Sequence, residues 1–333
     1  MRRFPLSTAV VALVMVLCSL APAEGRSIDK LKFSEGYTEL NTLTSPVLVG
    51  AEVAPLAFEP FAEGFDRSER MFQRRSGFMR GGLKAKLGPA VALGEILADS
   101  LGTEAERLGF RTGPGGWKVG GTIRELVFEN DVPSTWAMGV MLFYGHMVVE
   151  LEITSPEGEE TLLPMALHSY SVQGGMNAFK SARDALATHL IQSAQEILVR
   201  LNRSHFGAPP HPEVAAWVEE LTTGARKDEE PLIYRIGLSG SADAVSDLLA
   251  EVESEPDEGL RMQLIEALAH IGSEESIPTL ARRYDEEDDD CRWATLKAMA
   301  YIGSEEALAV VRERGVSDAE AYYRKVAQRI LGP

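Results

Sequence analysis

Between Asp66 and Lys86 the chain places Arg67, Arg70, Arg74, Arg75, Arg80, Lys84 and Lys86 against only two acids, a local charge of +5 in a protein of net charge -17. Phe58, Phe61, Phe65, Phe72 and Phe78 are interleaved with these bases or adjacent to them. Arginine and aromatic groups are enriched where surfaces desolvate against a partner, and a guanidinium can grip a carboxylate or phosphate through two parallel hydrogen bonds. Arg67, Arg70, Arg74, Arg75, Arg80, Phe72 and Phe78 are therefore the candidate partner-binding residues. Three uses compete: contact with an anionic partner, docking on acidic parts of the same chain, or a solvated loop with its phenylalanines turned inward.

The other chemically suggestive groups point to structure. Asp285 to Asp290 is a run of six carboxylates, but Asp290 stands where a calcium loop of the EF-hand type needs glycine, and the closing glutamate is missing. A solvated inter-helix loop, with Asp289 or Asp290 capping the next helix, fits better. No two of His146, His168, His189, His205, His211 and His270 have the four-residue spacing of a helical zinc site, although sequence alone does not show spatial clustering. Gly113-Pro114-Gly115-Gly116 precedes a strand and lacks a following Gly-Lys-Ser/Thr, so it reads as a turn and not a phosphate loop. Gly237-Leu238-Ser239-Gly240 does not fit a nucleophile elbow, and Ser239 reads as a helix-terminus residue. No catalytic residue, cofactor or metal is expected.

Arg2 and Arg3 precede an apolar stretch from Ala9 to Leu20, and Ala21-Pro22-Ala23 has the small residues of a signal-peptidase site, which predicts a signal peptide over residues 1–23. Lipidation at Cys18 is the lesser alternative, because Met15-Val16-Leu17 lacks the usual small residue before such a cysteine. Cleavage removes two bases and no acids, giving a mature charge of -19, which argues against nucleic-acid binding. Only Cys291 then remains, so no intramolecular disulfide can form, and a buried thiol is the expected state.

The elements that must position these groups fall into two parts. Ile271-Gly272-Ser273-Glu274-Glu275 recurs 31 residues later as Ile302-Gly303-Ser304-Glu305-Glu306, with Ile265 matching Leu296, Ala267 matching Ala298 and Ile277 matching Leu308. Within each unit the apolar residues keep helical spacing, glycine can close one helix in the left-handed conformation, and serine can cap the next. A weaker copy aligns Gly240 with Gly272, and a half-copy ends at Leu331-Gly332. Residues 232–333 thus form about three and a half helix pairs. They resemble HEAT-like repeats, which implies an α-solenoid with a concave binding face. The competing use of so short an array is to pad the domain before it.

Residues 24–206 read as one α+β domain of order β-α-β-β-β-α. The predicted elements are a strand over 47–58, a helix from Pro89 to Leu108, strands over 117–128, 136–154 and 161–172, and a last helix starting at Asn177 or Ser181. The charge-free apolar run from Trp136 to Met147 predicts a central strand buried on both faces, the alternative being an exposed apolar patch. This order, with Leu108-Gly109-Phe110, a strand opening at Val119, and Ser169-Tyr170-Ser171-Val172-Gln173-Gly174 leading into a helix, resembles the YajG-like family of bacterial envelope lipoproteins over residues 45–203. The resemblance implies an envelope protein with no catalytic residues to carry over, related to auxiliary subunits of transport and assembly systems.

Residues 207–231 read as a linker. Gly207-Ala208-Pro209-Pro210 ends the preceding helix, and a short helix over 212–221 carries Trp217 and bridges the two parts. The expected function is a non-enzymatic periplasmic or envelope-associated adaptor for protein partners, with peripheral membrane association as a further expectation. The alternative is a periplasmic carrier that holds a lipid or glycan in the α+β domain.

Overall fold

The structure, a computed structural model, describes residues 27–28, 46–67, 72–74, 86–88, 91–131, 140–174, 178–223, 229–286 and 289–331. The signal-peptide region, Arg70, Arg75, Arg80 and Phe78 lie outside them, as do Trp136 to Gly139 of the apolar run.

The fold is mixed α+β, with a sheet in the middle of the chain and helices concentrated toward its C-terminus. Three 15-residue strands make the body of the sheet: β6 (Trp117–Asp131), β7 (Val140–Thr154) and β8 (Glu160–Gly174), antiparallel in the order β6-β7-β8. A tight turn at Ser155 to Glu159 joins β7 to β8, with the Ser155 hydroxyl accepting from the Glu157 and Glu159 amides. Three short strands, β2 (Leu56–Phe58), β3 (Ala62–Glu63) and β4 (Phe72–Arg74), pair parallel with successive parts of β6. β1 (Ser27–Ile28) pairs separately with β5 (Lys86–Leu87).

Two expectations need correction here. The strand predicted over 47–58 is reduced to Leu56–Phe58, preceded by a 3-10 turn at Gly50–Glu52. The Leu48 amide bonds to the Leu108 carbonyl, and the Val49 amide bonds to the Pro209 carbonyl, so this backbone is satisfied by a helix end and the linker instead of a sheet ladder. The simple order β-α-β-β-β-α also gains short strands before its first helix, because the segment there runs along β6. The buried central strand is as predicted where side chains are described: Phe143, Tyr144, Gly145, His146 and Met147 are consecutively buried.

Helix α1 (Leu93–Leu108) ends at Gly109, which takes φ 110°. Helix α2 (Ala178–Leu201) crosses the sheet beside it and is covered by β7, β8, α1 and the C-terminal helices. After a π-helical turn at Asn202–Phe206, Pro209 and Pro210 run back along residues 47–49, and α3 (Val214–Thr223) follows. Trp217 of α3 is buried, with the Arg235 guanidinium 4.1 Å above its ring. This helix is packed in place, as a tryptophan there demands.

The C-terminal helices form pairs: α4 (Glu229–Ser239) with α5 (Val245–Ser254), α6 (Glu258–Ile271) with α7 (Ile277–Glu286), and α8 (Asp289–Ile302) with α9 (Glu305–Val310). The chain closes with α10 (Ala321–Leu331). Helices α4, α6 and α8 stack in sequence as one layer. The repeated punctuation works as its residue types require: Gly240, Gly272 and Gly303 have φ of 66°, 70° and 68°, while Ser273 and Ser304 accept from the Glu275 and Ala307 amides.

Two of these glycines have different neighbours. At Gly303 an added Cβ would lie 3.5 Å from the Ala300 carbonyl oxygen, whereas at Gly272 it would overlap the Arg203 guanidinium. Gly303→Ala should therefore cost about 1 kcal/mol, the conformational term alone. Gly272→Ala should cost about 2–4 kcal/mol, because it also displaces a charge-assisted contact. In an Arg203→Ala background the two should cost the same. Urea unfolding of the four variants measures this, and equal costs with Arg203 present would refute the steric argument.

Candidate functional site

The turn at Ser155 to Glu159 sets a register in which Tyr144 faces Tyr170, Gly145 faces Ser169 and His146 faces His168. On β6 the partners are Glu129, Phe128 and Val127, and a bulge between Ile123 and Glu125 re-phases the strand so that Ile123, Leu126 and Phe128 share one face. That face carries Gly145, Met147, Val149, Leu151 and Ile153 of β7 and packs on α1 and α2. The approach is close at Gly145, where a Cβ would fall 2.7 Å from His189 Nδ1. His189 lies in the core, 2.5 Å from the Ser169 hydroxyl and edge-on to the Phe128 ring at 5.1 Å. Both residues are too deep to reach solvent, so this serine-histidine contact is structural.

On the opposite face the sheet divides. Glu150 and Glu152 belong to its open half, and Glu150 pairs with Arg124. The other half, bearing Glu129, Tyr144, His146 and His168, is covered by α8 and α10. Trp293 of α8 stands 5.6 Å from the Tyr144 ring, and Arg329 of α10 reaches Glu129 at 3.0 Å. A cleft remains along this seam, lined by Glu129, Tyr144, His146, His168, Trp293 and Arg329, with about 260 Å³ of empty volume, open solvent included.

The imidazoles of His146 and His168 approach with Nδ1 atoms 3.4 Å apart. His146 Nε2 is 3.9 Å from Glu125 Oε2, while His168 Nε2 is buried with no partner among the described residues. Burial holds His146 down at about 4, aided by the Arg329 charge, and holds His168 well below the ordinary range, so both rings are neutral near pH 7. Among the described residues no three ligand-type side chains converge as a metal site.

The seam is closed along the edge of the sheet by Tyr301 of α8. Its hydroxyl donates to the His168 carbonyl at 2.8 Å and accepts from the His168 amide at 3.2 Å, taking the place of a neighbouring strand. Two residues along, Arg200 of α2 donates to the Ala166 carbonyl at 3.4 Å, and a further two along stands Pro164, which has no amide hydrogen to leave exposed.

Behind Tyr301 the contact between α2 and the helix pairs is strongly polar. Arg203 donates to the carbonyls of Ile271 and Tyr301 at 3.1 and 3.2 Å, so one cation serves the C-terminal ends of α6 and α8 where their dipoles are negative. Lys297 pairs with Glu266 at 2.9 Å, and Gln195 donates to Glu104 at 2.7 Å while accepting from the Tyr234 hydroxyl. Burial pushes Glu196 up to about 8 against the opposing pull of Arg200 and Lys297, and pushes His270 down to about 4 and His189 down to about 3.

Of the predicted partner-binding residues, Arg67 is engaged within its own neighbourhood: it pairs with Glu63 and donates to the carbonyls of Gly88 and Val91 at 3.0 and 2.8 Å. Phe72 and Arg74 belong to β4, where they take up register with Phe128 and Asn130. Arg70, Arg75, Arg80 and Phe78 lie outside the described residues. In the acidic run, Asp285 pairs with Arg314 at 2.6 Å and Glu286 with Arg282 at 2.9 Å. Cys291 is buried, and the Ser239 hydroxyl bonds back to the Ile236 carbonyl, as expected of both. The histidine pair escaped sequence reasoning, although His146 and His168 each lie 11 residues from Glu157 at the turn, a symmetry that a hairpin register converts into contact.

Tyr301→Phe keeps the ring and removes both hydrogen bonds, leaving a buried amide and carbonyl unsatisfied. It should cost about 1–3 kcal/mol and accelerate exchange of the His168 amide, read by hydrogen-deuterium mass spectrometry. The titrating groups give a second expectation. His189 and His270 have folded values below their unfolded ones, so they contribute stability above about pH 6.5 that is lost as pH falls toward 4. Glu196 has a raised value, so its contribution is full near pH 4.5 and is lost as pH rises through 8. With His146 and His168 lowered as well, the histidines outnumber the raised Glu196 and Glu104, so stability should peak between about pH 6.5 and 7, and Glu196→Gln should reduce the alkaline decline. Denaturant midpoints from pH 4 to 9 test this, and an unchanged alkaline limb in the variant would count against it.

Comparison with known families gives one match: a model described as HEAT repeats aligns with residues 240–332, the region of the glycine-punctuated helix pairs. Such repeats generally mediate protein-protein interaction. No curated protein matches the chain.

Proposed function

We propose that the protein is a non-enzymatic, envelope-associated adaptor, secreted by cleavage after Ala23, in which a YajG-like α+β domain carries a HEAT-like array that binds protein partners. The observation that carries this reading is the arrangement of the array. Helices α4 and α6 are engaged by α2 of the same chain, while the second layer keeps side chains such as Asp247, Glu274, Glu275, Glu305 and Glu306 exposed. A repeat surface held rigidly on a second domain suits recognition of another macromolecule. The seam cleft supports an adaptor better than a carrier: it encloses only about 10 Å³, room for about one water molecule and far below the ~300–1,000 Å³ typical of ligand pockets. The segment around Arg70, Arg74 and Arg75 is the proposed contact for an acidic partner; Arg67 is set aside because its bonds are internal.

Intact mass of protein from an envelope fraction should correspond to a chain beginning at Glu24 with no acyl group. Native mass spectrometry of the same material should show no stoichiometric lipid or glycan, and crosslinking should join it to a specific protein; a retained small ligand would favour the carrier. Replacing Arg70, Arg74 and Arg75 by glutamate should weaken partner capture at least about tenfold at low salt and less at high salt, since screening acts over ~8 Å at physiological ionic strength. Wild-type capture by the folded triple variant would remove this segment from the interface.

A further inference from the structure

We propose that the seam between the sheet and the C-terminal helix pairs is an acid-released latch: protons taken up by His168 and His270 free the array from the sheet as a folded unit. The inference stands apart from the adaptor reading and survives its failure.

Its first support is where the imidazoles lie. His146 and His168 line the cleft with Trp293 of α8 and Arg329 of α10, and His270 of α6 sits 6.3 Å from the Tyr234 ring and 6.4 Å from the Tyr301 ring. His168 Nε2 and His270 Nδ1 are buried with no hydrogen-bond partner among the described residues. An imidazole in that state, once protonated, carries a buried charge with no bond to offset it.

The groups around these rings are already committed. The cations are Arg200 and Arg203 of α2, Lys297 of α8 and Arg329 of α10; the carboxyls are Glu125 and Glu129 of β6, Glu196 of α2 and Glu266 of α6. Arg329 holds Glu129 at 3.0 Å, Lys297 holds Glu266 at 2.9 Å, and Glu196, 3.4 Å from Arg200, stays protonated near pH 7. Glu125 lies 3.9 Å from His146, at the solvent side of the pair. The remaining polar rings there, Tyr144, Tyr234, Tyr301 and His189, bring no negative charge. A proton arriving on His168 or His270 therefore meets fixed cations whose carboxylates are taken.

Few other fastenings close the seam. The sheet meets the array through Tyr144 with Trp293, His168 with Tyr301 and Glu129 with Arg329, and α2 meets it through Gln195 with Tyr234 and through Arg203. Each side keeps a buried core of its own: Val149, Leu151 and Ile153 in β7, and Leu264, Leu268 and Leu296 among the helix pairs. Charging the rings thus opposes the contact and not the parts. The sign follows: His146 and His270 are held down at about 4 while the seam is closed and return toward ~6.5 in water, so closure is favoured above about pH 6.5 and weakens as pH falls toward 4.

Hydrogen-deuterium mass spectrometry of the full-length protein reads the latch directly, because the His168 amide donates to Tyr301 across the seam. Between pH 7 and about pH 4.5, after correction for the intrinsic pH dependence, exchange of this amide should accelerate at least about tenfold while Val149 to Ile153 and Leu264 to Leu268 keep their protection. Return to pH 7 should restore it. His168→Gln with His270→Gln should stay closed under the same acid, whereas His205→Gln with His211→Gln should open like the wild type. Lys297→Met with Glu266→Gln removes the central ion pair and should lower the opening midpoint by about one pH unit. Unchanged exchange at His168 in the wild type, or loss of protection in all three segments together, would overturn the latch without reference to any variant. Opening of the His168 and His270 variant would overturn the assignment to these rings, and an unchanged midpoint without Lys297 would overturn the part given to the buried cation.

Discussion

Helix α2 has almost no side left for water, and the rest of the molecule is arranged around that constraint. Its small and aliphatic residues Ala182, Leu186, Leu190 and Ile197 are buried, and so are His189, Ser193, Gln195 and Glu196. A helix buried all round must meet partners in every direction. The sheet and α1 provide the apolar ones, and the helix pairs provide Tyr234 for Gln195 and Tyr301 for the region of Glu196 and Arg200. The C-terminal array thus completes the burial of the preceding domain's last helix. This agrees with the continuous core that runs from Val47 to Ala327.

A polar contact of this kind is specific because its groups cannot slide. Buried hydrogen-bonding atoms are costly unless matched, so a displacement of the array by one helical turn would strand Arg203 and Gln195, whose partners Ile271, Tyr301 and Tyr234 lie in it. An apolar contact of the same size would tolerate such a shift. The acidic excess of the C-terminal half adds to the effect. Cations in that half are scarce, and several are already spent: Arg292 on Asp318 and Glu320 and Lys297 on Glu266 within it, and Arg329 on Glu129 of the sheet. The surplus carboxylates are left at the surface, where water solvates them and no partner is required.

How far the sequence foretold this depends on how local each signal was. The repeated glycines and serines set backbone conformation within a few residues, so the helix pairs were legible down to their caps. The alternation of Val149, Leu151 and Ile153 with Glu150, Glu152 and Thr154 was likewise sufficient to orient the open half of β7. The segment from Val47 to Phe58 misled because its β-branched residues look like a strand, whereas its hydrogen bonds go to Leu108 and Pro209, far away in the chain. The covered half of the sheet was legible only as an apolar run. Nothing near Tyr144 announces that Trp293 will lie on it, and no spacing rule joins Tyr301 to His168 across 133 residues.

The two Ile-Gly-Ser-Glu-Glu motifs show where local reading ends. They are identical in sequence and nearly identical in backbone, since each glycine turns its helix off at the same φ and each serine caps the next. Yet Arg203 fills the space beside Gly272 and leaves Gly303 untouched, while its second bond goes to Tyr301, just before the other copy. One side chain from outside the array therefore binds two repeats together at their helix ends and makes equivalent residues unequal. Repetition fixes how each unit folds, and the single unrepeated helix beside them fixes how the units are held.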